Sequence, residues 1–145
     1  MDIKMMHELK RFNYIITETD AAYHRAAQRL GITDSAMMIL YFACDNDGSY
    51  PLSDICRLSG ISKQTINSAL RKLEAEGIVT LTAADGKKKT VILTEKGKEY
   101  ANEKVIPIMK IENEIFNEWT EEQREQYISL AQSYLNSFKE KTSKL

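Results

Sequence analysis

From position 62 to 73 the chain sets Ser62, Lys63, Gln64, Thr65, Asn67, Ser68 and Arg71 around the large apolar residues Ile66, Leu70 and Leu73. Hydroxyls and amides both donate and accept hydrogen bonds, and a guanidinium donates through a planar fork. Those are the groups that discriminate base edges in a major groove and that hold phosphates. An ordinary solvated helix face alternates Glu with Lys; this one carries Ser, Thr, Gln and Asn. Sixteen residues after Arg71 begins a run of three cations, Lys87, Lys88 and Lys89. Placed on a hairpin tip, they would reach an adjacent minor groove or its phosphates.

Other chemistries have little material. Two histidines, His7 and His24, and two cysteines, Cys44 and Cys56, leave no Cys-x-x-C pair, disulfide framework or metal cluster. The two thiols read as buried packing groups. Glu112 and Glu114 lie close in sequence but on different helix faces, which makes a poor acid–base pair. No Gly-rich phosphate loop or nucleophile–base arrangement is present, so the chain reads as no enzyme, with no cofactor and no metal.

Charge is divided unevenly. Residues 52–98 hold nine Lys or Arg against five Asp or Glu, or +4, and the rest of the chain holds eleven against sixteen, or −5. All twelve aromatic residues lie outside 52–98. A basic segment without aromatics cannot stack splayed bases, as single-strand binders do, but it can engage a duplex.

These groups need elements to position them. Met5, Leu9, Phe12, Ile16, Tyr23, Ala26 and Leu30 recur at steps built from three and four, which predicts one helix from about Lys4 to Leu30. Thr33 can cap a second, largely apolar helix from Asp34 to about Cys44, central and buried. Pro51 can open a third helix to Ser59, with a turn at Gly60. Ser62 can cap a fourth, Lys63 to Glu76, with Gly77 just past its end. Ile78–Thr82 and Thr90–Leu93 read as two strands joined around Asp85-Gly86. Thr94 can cap a fifth helix that Pro107 kinks or divides, and Thr120-Glu-Glu-Gln is a capping box for the last. Helix, Gly turn, polar-faced helix and basic hairpin make a winged helix-turn-helix. The expected class is therefore mainly α with a small β-hairpin wing (α+β). The alternative is a winged-helix module that binds protein and not DNA.

Three stretches carry a closer likeness: Leu58-Ser-Gly-Ile-Ser-Lys-Gln-Thr-Ile, Leu73-Glu-Ala-Glu-Gly-Ile-Val and Val91-Ile-Leu-Thr-Glu-Lys-Gly. In these, and in Thr33-Asp-Ser before an apolar helix, the chain resembles the MarR family of bacterial transcriptional regulators over almost its whole length. The resemblance implies a homodimeric repressor that binds double-stranded DNA at a palindromic operator. It implies a single domain, 1–145, with dimerisation helices in 1–31 and 100–145 and the winged helix-turn-helix in 33–98. It also implies release by a small phenolic or lipophilic effector between the two regions. Two positions depart from the family pattern: Leu81 stands where most relatives have Arg, and Asp85-Gly86-Lys87 where their wing reads Asp-Arg-Arg. Lysine suits a narrow minor groove less well than arginine, so phosphate holding is the wing's expected task.

Tyr14, Tyr23, His24, Met37, Met38, Tyr41 and Phe42 could line an effector cavity between the first two helices; the same residues would serve equally as core and dimer packing. No cysteine precedes Cys44, so oxidant sensing at the start of the first helix, known in some relatives, does not carry over. The longest apolar run, Ala36 to Cys44, is too short for a membrane span, and acids stand where a signal peptide would be apolar. A cytoplasmic protein with no membrane partner is expected.

Overall fold

A computed structural model describes residues 2–83 and 88–145. The chain divides into two compact units, Met1–Ile108 and Met109–Leu145. No described helix is long and apolar enough to cross a membrane.

In the first unit, α1 (Ile3–Leu30) opens on Asp2, whose carboxylate accepts the Lys4 amide at 2.8 Å. It ends at Gly31, which adopts the left-handed backbone (φ 70°) that a helix terminus favours and that glycine takes without strain. Of its residues only Ala27 is buried. Ile3 (71% exposed), Ile15 and Leu9 face solvent. Thr33 caps α2 (Asp34–Asp45) by accepting the Ala36 amide. Here the apolar run does what its composition requires: Ala36, Ile39, Leu40 and Ala43 are all buried. They meet Ile55 of α3 (Leu52–Ser59) and Ile66, Leu70 and Leu73 of α4 (Lys63–Ala75) in one core. Each Ile or Leu side chain among them contributes about 1.5–3 kcal/mol when fully buried.

The sheet has three strands, β1 (Ser49–Pro51), β2 (Val79–Thr82) and β3 (Thr90–Leu93), in the antiparallel order β1-β3-β2. Two strands were expected, and β1 is the addition. Its three residues carry no alternating pattern, and the strand exists because β3 has a second edge to pair: Ser49 opposes Ile92 and Pro51 opposes Thr90. Proline is tolerated there because an edge strand can do without one amide donor. Pro51 accordingly stands at the N-cap of α3, not at its first helical position, and the Leu52 amide donates to the Lys89 carbonyl at 2.9 Å.

Past β3, Thr94 caps α5 (Glu95–Lys104), and Pro107 does divide the helical pattern: α5 stops before Val105 and α6 (Ile106–Asn117) begins anew. In the second unit a capping box closes on α7 (Glu121–Thr142), Thr120 accepting the Gln123 amide and Gln123 accepting that of Thr120. Arg124 donates to the Phe116 and Trp119 carbonyls at 3.0 and 2.7 Å, satisfying the end of α6. No residue of α7 is buried, although Ile128, Leu130 (72% exposed), Leu135 and Phe138 are large and apolar.

Candidate nucleic-acid interface

The turn between α3 and α4 is built around Gly60, whose φ of 66° needs a residue without Cβ strain, and Ser62 then starts α4. The Ser62 hydroxyl accepts the Thr65 amide at 3.2 Å and donates to Thr65 Oγ1 at 2.8 Å. Two of the seven polar residues expected to meet DNA therefore have a second task, fixing the first turn of the helix that presents the others. Lys63, Gln64, Ser68 and Arg71 are exposed, and Asn67 is half-buried at the margin of the same face. With Ile66, Leu70 and Leu73 in the core, helical spacing puts Gln64, Ser68 and Arg71 in one outward row. Lys72 belongs with them. It is exposed and four residues beyond Ser68, so the periodicity that selected Ser68 also points to it.

On the hairpin, Lys88 and Lys89 are exposed, and Lys87 lies outside the described residues together with Asp85 and Gly86. The bond from the Leu52 amide to the Lys89 carbonyl ties this end of the hairpin to the start of α3. Leu81 is half-buried on β2 opposite Val91. Its side chain adds to the sheet's packing and brings no cation to the wing.

The seven residues of the expected effector cavity are spread differently. Met37, Met38, Tyr41 and Phe42 are half-buried on α2, and Phe42 packs its ring 5.0 Å from that of Tyr50 on β1. His24 Nδ1 lies 2.6 Å from Asp34 Oδ2, joining α1 to the first turn of α2 with both side chains half-exposed. Tyr23 is exposed. Two shallow hollows on α1, about 330 and 370 Å³, share Tyr14; Ile15 lines the first and Ala21 the second, and the other lining residues are polar or charged, among them Lys10, Arg11 and Arg25. Cys44 and Cys56 are half-buried, not fully buried as expected, and burial pushes the Cys44 thiol above its ordinary pKa.

A sequence model of the MarR family matches residues 30–89. No curated protein matches the chain. Among solved structures, a MarR family regulator from Neisseria meningitidis, NMB1585, superposes with a TM-score of 0.83 at 16% identity, over 94% of this chain and 97% of that one. A MepR–DNA complex from Staphylococcus aureus gives 0.66 at 19% identity, over 89% and 96%. Staphylococcus aureus MarR in complex with salicylate and kanamycin gives 0.68 at 19% identity, over 93% and 94%. The family model thus matches the chain from the end of α1 to the residue before β3, and the chain shares the fold of these MarR family proteins along most of its length.

Proposed function

We propose that this protein is a sequence-specific double-stranded DNA-binding transcriptional regulator. The carrying observation is the outward row of Gln64, Ser68 and Arg71 on α4, set behind a glycine turn and beside a hairpin that exposes Lys88 and Lys89. The side chains of α4 supply base-edge hydrogen bonds, and the lysines supply phosphate neutralisation. The likeness to a structure determined as a MepR–DNA complex supports the same reading. Exposed apolar stripes on α1 and α7 support a homodimer, and a two-fold protein calls for a palindromic operator. The working assignment is a cytoplasmic repressor with no catalytic role, released by a small lipophilic or phenolic molecule near Tyr14, Tyr23, His24, Met37, Met38, Tyr41 and Phe42. The salicylate bound to the Staphylococcus aureus protein supports that effector class.

Selection from a random duplex library with the purified protein tests the assignment. A palindromic sequence enriched over successive rounds is expected. Recovery of an unenriched library would refute sequence-specific binding and favour a protein-binding winged helix.

A further inference from the structure

Helix α4 ends in a glycine turn: Gly77 is left-handed (φ 74°), its amide donates to Glu74 and that of Ile78 to Leu73 at 2.9 Å. This leaves the carbonyls of Glu76, Gly77 and Ile78 pointing away from their own helix, and the first turn of α5 takes all three. Lys96 Nζ donates to the Glu76 carbonyl at 2.7 Å. The Thr94 hydroxyl donates to the Gly77 carbonyl at 2.5 Å and lies 3.2 Å from that of Ile78. The Thr94 amide donates to the Ile78 carbonyl at 3.1 Å. Thr94 Oγ1 in turn accepts the Gly97 amide at 2.9 Å, so one side chain both starts α5 and holds the end of α4. The carbonyl-rich, partly negative end of the DNA-facing helix thus meets the partly positive start of α5, with an ammonium added at the junction.

Of these groups Lys96 is the one α5 does not need for itself. Thr94 caps its own helix and Gly97 permits close approach, whereas the Lys96 side chain is exposed and reaches across to Glu76. We infer that Lys96 is a positioning residue for DNA recognition: it fixes the C-terminal end of α4 on α5 and so sets the angle at which Gln64, Ser68 and Arg71 are presented. Base-edge hydrogen bonds tolerate little misalignment, while phosphate contacts tolerate much. Loosening the joint therefore costs sequence preference before it costs general affinity.

The inference rests on the DNA-binding reading above, so its test has an arm that does not use DNA. In Lys96→Met, amide hydrogen exchange at residues 76–78 and in the last turn of α4 speeds up about tenfold, while exchange in α2 stays as in the wild type. On DNA, the preference of Lys96→Met for a selected duplex over a scrambled one falls about tenfold, with the salt dependence of binding unchanged. Lys96→Arg, which keeps a charged donor, retains both preference and protection. Unchanged exchange at the end of α4 overturns the joint itself. Equal weakening on both duplexes with a shallower salt dependence also overturns the inference, making Lys96 a phosphate contact. A wild type without sequence preference refutes the DNA reading, and exchange still decides whether Lys96 holds α4.

Discussion

Gly97 of α5 lies so close to the backbone of Ile78 that a Cβ on it would overlap the Ile78 carbonyl oxygen. The neighbour is backbone, already fixed by bonds from Thr94, and cannot swing aside. Gly97→Ala is expected to destabilise the fold by about 3 kcal/mol, at the upper end of overpacking costs. Thermal unfolding would show this as a fall of roughly 10 °C in Tm. A Tm within a degree or two of wild type would mean that the two elements can separate without cost.

Ser62 and Gln64 stand two residues apart with different work. Ser62 caps α4 through the Thr65 amide, so Ser62→Ala costs about 1 kcal/mol of stability. Gln64 is exposed, and Gln64→Ala stays within about 0.5 kcal/mol of wild type. Urea unfolding of the two variants checks the contrast, which equal midpoints would contradict.

What the sequence showed and what it hid follow one physical division. Caps at Thr33, Ser62, Thr94 and Thr120, and glycines at Gly60 and Gly77, are local devices, so they are readable residue by residue. The core stripe Ile66, Leu70 and Leu73 follows from helical periodicity, and with it the outward row of α4. Strand β1 was hidden because its pairing partner lies some forty residues away, and Ser49-Tyr50-Pro51 has no pattern of its own. The Lys96–Glu76 bond was hidden for the same reason, since nothing in a surface lysine names a carbonyl twenty residues earlier. The expected effector residues share an apolar and aromatic character, which cannot separate cavity lining from packing such as the Phe42–Tyr50 contact.

The apolar stripe of α1 predicts assembly. At micromolar concentration light scattering should report a dimer, because Met5, Leu9 and Ile16 lie exposed along one line. Leu9→Glu places a charge in that stripe and should raise the dimer dissociation constant at least about tenfold. A wild-type monomer at such concentrations would remove both the dimer and the palindromic site.

Cys44 supplies a pH-dependent observable. Burial raises its pKa, so at any pH near 8 less thiolate is present than on a free cysteine. Alkylation of Cys44 by iodoacetamide at pH 8 should be slower in the native protein than in urea, and should accelerate as pH rises. Equal native and unfolded rates would contradict the burial.

The division of labour between α4 and the hairpin is the centre of the account, and titration of operator and scrambled duplexes at several salt concentrations tests it most directly. Gln64→Ala and Asn67→Ala should each lose about 1–3 kcal/mol on a selected operator and little on scrambled DNA. Lys88→Ala and Lys89→Ala should weaken both duplexes alike and flatten the log–log salt slope by about one unit per lost contact. Loss of sequence preference in the lysine variants, with preference intact in the Gln64 and Asn67 variants, would contradict the assignment of α4 as the reader.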